Sequence, residues 1–454
     1  MEMCVKEIVQ ACGGKLLSGE GQTVVTSVET DSREIHPGGL FVPIVGQNTD
    51  AHDFIEQTFA KGAVAALTQR HTAGGSGKHC LIAVENTQDA LQKIAASYRS
   101  RFTVPVVGVT GSVGKTSARE MIALGLSAEK NVMRTKGNSN SQIGLPLTMF
   151  QFEKAHTAAV IEMGISEFGE MERLVKVARP THAVVTNIGI AHIEQLKTKA
   201  HIMSEKLKIT QSFGTNSALF LNGDDKMLAA AEHTGGFPVV YYGTHGGCQY
   251  RAERIQTDGT QTVFTVHTPK QTATVTLPVV GAHNVSNALA AIAVADVMEL
   301  NLHKVIAKLA NYQAPQMRQT VHQVKGITVI DDSYNASPDS VKSGVEVLCS
   351  IRNQGKKIAV LADMLELGSF SEQAHFETGV AVAGTAVDAL ITVGERAKKI
   401  AQGARSVREN MQVQLCESNG EAIQTLKNIL QKGDAMLVKG SRGMKTDEIV
   451  KAFL

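Results

Sequence analysis

Residues 108–117 read Gly-Val-Thr-Gly-Ser-Val-Gly-Lys-Thr-Ser and follow directly on the apolar run at 104–107. A helix-compatible stretch begins at Ala118 and extends to about Leu126. Strand, glycine-rich turn, Lys-Thr, helix is the order a phosphate cradle requires. The glycines let backbone N–H groups crowd an anion, and the helix start adds its positive dipole end. Lys115 can then reach the outer phosphates, and the Thr116 hydroxyl can hold Mg²⁺. The strict eight-residue P-loop would place its first glycine at Val109, so the match is incomplete. With the lysine, the threonine and the preceding strand, the turn still reads as an ATP site.

Length and composition set the frame. A chain of 454 residues holds about three domains. Hydrophobic content of 43% with 19% charged residues is that of a globular protein. A formal charge of +2, 4% aromatics and no tryptophan leave neither a basic stripe nor a stacking platform, so no nucleic acid is expected. No apolar run is long enough to span a membrane, and the N-terminus lacks the charge-then-apolar order of a signal peptide. The six cysteines (4, 12, 80, 248, 349 and 416) form no CxxC pair, which fits reduced thiols in the cytoplasm.

Periodicity divides the chain at about residues 100 and 314, giving expected domains 1–100, 101–314 and 315–454. The first has short β-like runs at 40–42, 64–67 and 81–84, and a polar loop at 72–78 containing Gly74-Gly75-Ser76-Gly77. The second alternates apolar runs (158–161, 183–186, 217–221) with helical patterns and closes on an Ala-rich helix near 285–298. The third restarts at 327–330 and continues through 358–361, 389–393 and 435–438. The fold class predicted is therefore α/β. It has a central, mostly parallel P-loop-type sheet, a Rossmann-like C-terminal domain and a smaller N-terminal α/β domain.

Ligands of parallel sheets gather at the carboxyl ends of strands. Glu162 ends the run at 158–161, where a carboxylate beside a phosphate loop can bind Mg²⁺. Asn187 ends the next run, and His192 follows it, either as a metal ligand or as an ordinary histidine. Lys206 interrupts an apolar helical stripe formed by Ile202, Ile209 and Phe213. Such a lysine snorkels, pairs with an acid, or has had its charge chemically altered. Asn284 and Asn287, ahead of the Ala-rich helix, are either capping groups or amide donors to a base. Arg318 is either a surface residue or a bridge to a phosphate.

Taken together these segments resemble the Mur ligase family, the ATP-dependent amino-acid and peptide ligases of peptidoglycan synthesis. The resemblance covers essentially the whole chain, and Thr110-Gly111-Ser112-Val113-Gly114-Lys115-Thr116 is similar to the family's T-G-x-x-G-K-T loop. It implies nucleotide contacts along Gly108, Val109, Thr110, Gly111, Ser112, Val113, Gly114, Lys115 and Thr116. Further nucleotide contacts are implied at Asn284 and Asn287 (adenine), Asp331 (ribose) and Arg318 (phosphates). It also implies catalytic roles for Lys115, His192 and Lys206, with Thr116, Glu162, His192 and a carbamylated Lys206 organising Mg²⁺. The run 135–140, the run 331–338 and Lys439-Gly440-Ser441-Arg442-Gly443-Met444 point to a dipeptide-adding member. A D-N-P-R motif, usual where the third amino acid is added, is absent. The implied partners are UDP-N-acetylmuramoyl-tripeptide, touched by Ser32, Arg33 and Asn138, and D-alanyl-D-alanine, handled by a monomer. Another ligase of the family, or a P-loop scaffold that ligates nothing, are the rival readings. Lys115→Ala is expected to abolish phosphate release with all substrates present while leaving the thermal melt nearly unchanged. Phosphate release at the wild-type rate would contradict that role.

Overall fold

The computed structural model describes residues 1–46, 48–70, 78–232 and 235–454. The glycine-rich segment 74–77 lies outside the described residues. Three sheets carry the architecture, as the βαβ rhythm predicted, and a two-stranded ribbon (Met3–Cys4 with Val24–Val25) stands beside them. The N-terminal sheet runs Lys15–Ser18, Cys80–Ala83, Ala65–Thr68, Gly39–Phe41, Ser27–Glu29, and only its first strand is antiparallel to its neighbour.

In the middle sheet seven strands pair in parallel. Their order is Val132–Arg134, Ala158–Glu162, Val106–Thr110, His182–Val185, Ala218–Asn222, Val239–Gly243 and Tyr250–Thr257. Two antiparallel strands, Thr262–His267 and Thr272–Leu277, extend that edge. Burial alternates along Thr262–His267, with Thr262, Phe264 and Val266 inside, so the strand period of two was present in the sequence. The C-terminal sheet pairs Thr320–Val324 antiparallel to Ile327–Asp331. It then continues in parallel through Ala435–Lys439, Lys357–Ala362, Ala389–Val393 and Gln412–Cys416.

The central strands are apolar on both faces because both are covered. Val107, Val109, Val160, Val184 and Phe220 pack under the helices Lys115–Leu126 and Ala282–Val297. Ala159, Ile161, Ala183, Val185 and Leu221 face the helix Glu170–Ala178. Alanine dominates Ala282–Val297 because small side chains let it approach the phosphate-loop helix closely; a Cβ on Gly125 would lie 3.8 Å from that of Ala291.

The domain junctions differ. Apolar residues of the N-terminal domain, such as Leu91 and Ile94, share one continuous cluster with the middle domain. The C-terminal domain has its own clusters, joined to the middle domain by Val280 and Ile190. A small apolar junction leaves relative domain motion as the default behaviour.

Candidate active site

The phosphate loop sits between the strand Val106–Thr110 and the helix Lys115–Leu126. Two glycines are needed there for different reasons. Gly114 adopts φ +83°, a left-handed conformation that costs other residues energy, and a Cβ on Gly111 would collide with the Thr186 hydroxyl. Asn187 braces the turn: its Oδ1 accepts from the N–H groups of Ser112 (3.1 Å) and Val113 (2.8 Å), and its Nδ2 donates to the Val113 carbonyl (3.0 Å).

Two lysines converge on one carbonyl of this loop. Lys115 Nζ donates to the Gly111 oxygen at 2.9 Å, and Lys206 Nζ donates to the same atom at 3.1 Å. Lys206 is only 2% exposed, which rules out snorkelling, and it has no ion-pair partner among the described residues. Burial pushes both amines below the usual lysine range, and for Lys206 the neighbouring Lys115 charge adds to the drop.

Glu162 closes the other side. Its Oε2 accepts from the Thr116 hydroxyl (2.9 Å) and from Arg119 Nη1 (2.9 Å), and its Oε1 accepts from Asn140 Nδ2 (2.7 Å). The Arg119–Glu162 pair is almost fully buried, at 3% and 1% side-chain exposure. Neither Arg119 nor Asn140 was singled out from sequence as a partner of Glu162. Arg119 stands four residues after Lys115, on the same helix face, which was the available signal.

A cavity of about 1260 Å³ between the middle and C-terminal domains is lined by Ser112–Ser117, Asn138, Asn140, Glu162, His192, Asn284, Asn287 and Arg318. It is roomy enough for a drug-sized ligand or a nucleotide. Arg318 stacks over the Tyr334 ring, 4.1 Å from its centroid. Asn284 Nδ2 donates to the Val280 carbonyl (2.8 Å), whereas Asn287 Nδ2 is buried without a partner. An orphaned donor facing a cavity is what a ligand acceptor would satisfy. The helix starts at Ala282, so both asparagines lie within its first two turns and neither is the residue capping it.

Other expected site residues lie elsewhere. His192 lines the cavity, but its Nδ1 pairs with Glu366 of the C-terminal domain at 2.7 Å, not with Glu162. Lys206 is buried behind the loop and does not line the cavity. The acid expected at the ribose, Asp331, accepts from the Ser333 hydroxyl and N–H instead. The next residue, Asp332, lines the cavity in its place, held by Lys439 Nζ at 2.8 Å. Strand alternation explains the shift, because neighbouring residues of an extended chain face opposite ways. Gly108, Val109 and Thr110 belong to the buried strand and contribute no cavity surface. Ser32 and Arg33 do not line the cavity; Arg33 is 86% exposed and pairs with Asp31, and Lys61 holds the Ser32 carbonyl.

The donor set fits Mg²⁺ in kind: a carboxylate and a hydroxyl, hard oxygens of the type this ion takes together with substrate phosphates. No cluster of three His, Cys, Asp or Glu side chains positioned to hold a metal ion occurs among the described residues. A protein-only metal cage is therefore not what these residues build.

Comparison with known proteins agrees with this architecture. Residues 24–99 match the model of the Mur ligase family catalytic domain, 109–295 the Mur ligase middle domain, and 316–442 the Mur ligase glutamate ligase domain. The chain belongs to the Mur ligase family. It is similar to the UDP-N-acetylmuramoyl-tripeptide–D-alanyl-D-alanine ligase of Bacillus subtilis, with 35% identity over 99% of this chain and 98% of that protein. Its fold is similar to MurF from Acinetobacter baumannii (TM-score 0.92, 28% identity, covering 100% of this chain and 99% of the other). It is also similar to MurF of Thermotoga maritima in complex with ADP (TM-score 0.84, 28% identity, covering 94% and 97%).

Two outcomes follow from this geometry. Arg119→Met leaves Glu162 buried without its cation and is expected to lower unfolding free energy by about 3 kcal/mol, measured by urea denaturation; an unchanged midpoint would contradict the pairing. Burial also pushes His283 down to about 4, so the folded protein keeps it neutral where the unfolded chain, near 6.5, binds a proton. Its contribution to stability is present above pH 6.5 and is lost as pH falls towards 4. His283→Asn should therefore show a shallower decline of melting temperature across that window.

Proposed function

We infer that this chain joins D-alanyl-D-alanine to UDP-N-acetylmuramoyl-tripeptide with ATP hydrolysed to ADP, forming the pentapeptide precursor of peptidoglycan. The observation that carries this reading is near full-length kinship with ligases of that reaction, combined with a braced phosphate loop opening on an interdomain cavity. In the reaction the γ-phosphoryl group passes to the terminal carboxylate of the tripeptide, releasing ADP and giving an acyl phosphate. The amine of the dipeptide then attacks the acyl carbon, and inorganic phosphate leaves with the C–O bond's electron pair.

The protein's work is positioning and charge compensation. Lys115 moves off the Gly111 carbonyl to the outer phosphates, and Arg318, steadied by Tyr334, approaches them from the hinge. Asn284 and Asn287 face the base side, and Asp332 rather than Asp331 is placed for the ribose. Thr116 and Glu162, with His192 nearby, would hold Mg²⁺, which when bound would supply charge neutralisation at the phosphates. Releasing His192 for that task requires breaking its pair with Glu366. Lys206 is suited to carbamylation: burial beside Lys115 favours the free amine, whose nitrogen lone pair would attack the carbon of carbon dioxide with loss of one N–H proton to solvent, and the resulting carbamate anion would lie beside the Lys115 cation. Ser32, Arg33 and Asn138 are assigned to the UDP-linked acceptor. The enzyme works as a monomer in the cytoplasm in this reading; none of the six cysteines is disulfide-bonded, and no described helix is long and apolar enough to cross a membrane.

Phosphate release should require ATP, UDP-N-acetylmuramoyl-tripeptide and D-alanyl-D-alanine together. Release that persists without the dipeptide, or that is supported instead by a single amino acid on a dipeptide acceptor, would overturn the assignment. Lys206→Ala should lose activity that added short carboxylates partly restore, and full activity without them would exclude the carbamate.

A further inference from the structure

The strands Ile327–Asp331 and Ala435–Lys439 run toward the interdomain cavity, which Asp332 and Lys439 line at their carboxyl ends. Their amino ends carry a second, smaller feature. An apolar hollow of about 250 Å³ is floored by Val324, Ile327, Val329, Leu430, Ala452 and Phe453, with Lys325 and Lys427 also on its lining. Lys432 adjoins them, its Cγ 3.3 Å from a Cβ built on Gly326. Lys356 stands on the neighbouring strand entry, where the Gly355 N–H donates to the Gly433 carbonyl at 2.9 Å. All four lysines are exposed, and none has a carboxylate within 4 Å among the described residues. The acid closest to them along the chain, Asp434, is buried and occupied by backbone: it accepts from the N–H groups of Lys356 (2.7 Å) and Gln431 (2.8 Å). Lys325 and Gly326 form the two-residue turn between the paired Val324 and Ile327, with φ +51° and +84°. A turn with both residues left-handed favours Asn-Gly, so a lysine at its tip is kept at a conformational cost.

Unpaired ammonium groups around an apolar hollow match a surface that sets anionic heads over hydrocarbon. We propose that this face docks on a membrane leaflet of anionic phospholipid. The lysines pair with headgroup phosphates, and the hollow takes the upper methylenes of one acyl chain. A single-stranded nucleic acid would need several stacking rings, and the hollow has one, Phe453. An acidic peptide would pair with the lysines but leave the apolar floor unused. Each lysine near such a surface strengthens partition about five-fold, so four give a weak, reversible attachment, half-saturated near about 1 mM lipid. None of these residues lines the interdomain cavity, so the surface is independent of the ligase reading. Docking at the amino ends of the strands leaves their carboxyl ends, and the cavity there, facing away from the lipid.

The test is sedimentation of the full-length protein with vesicles of phosphatidylglycerol, with phosphatidylcholine vesicles as the neutral control and melting curves to verify folding. Wild type is expected to bind the anionic vesicles at about millimolar lipid, to ignore the neutral ones, and to be released at about 1 M salt. The triple variant Lys325→Gln, Lys427→Gln, Lys432→Gln should bind at least about twenty-fold more weakly, with its phosphate release in solution unchanged. Val324→Thr keeps the shape of the hollow but adds a hydroxyl, and should weaken vesicle binding about three-fold. Equal binding to neutral vesicles, no binding to anionic ones at lipid well above millimolar, or wild-type affinity in the triple variant would each overturn the proposal. Wild-type affinity in Val324→Thr would show the apolar floor unused, and would replace the lipid by an acidic protein partner.

Discussion

Two ammonium groups share the carbonyl of Gly111, and much else in the molecule is arranged around that crowding. Neither cation has an acid in contact with it, and one is sealed from water. Such a site is poised for an anion such as a triphosphate tail in front of the loop. The loop survives this strain because Asn187 and Thr186 grip its backbone from the neighbouring strand. Like charges held this close favour whichever ligand removes the conflict, which is how a ligand-free loop encodes affinity for phosphate.

Glu162 supplies the balancing acid, and its three partners show how one carboxylate can serve structure and chemistry. Arg119 holds it against the helix, Asn140 fixes the second oxygen, and Thr116 keeps the remaining direction toward the cavity. The Arg119 side is buried and structural; the Thr116 side faces the cavity. Across the cavity the C-terminal domain contributes Asp332, Tyr334, Glu366 and Lys439 on its own, separately packed sheet. The apolar junction between this domain and the middle domain is small, at Val280 and Ile190.

The parts of this arrangement legible in sequence were those with a local signature. The phosphate loop and the strands at 158–162 and 182–185 are short-range patterns, and so is the lysine within an apolar stripe. What escaped was long-range. Asn140 reaches Glu162 across 22 residues, and nothing local announces that meeting. The edge meander at 250–277 alternates plainly but was overshadowed by the βαβ rhythm around it. Asp331 and Asp332 are indistinguishable as letters; only the direction of the strand decides which one faces the cavity. His192 and Glu366 meet because two domains are docked, a fact no window of sequence contains.

The position of the triphosphate is decisive for the role of the loop. A crystal structure of the protein with a non-hydrolysable ATP analogue should show the phosphates over the N–H groups of residues 112–116. Lys115 Nζ should have left the Gly111 oxygen to contact them. Phosphates bound elsewhere, or Lys115 still hydrogen-bonded to Gly111 in the complex, would contradict it.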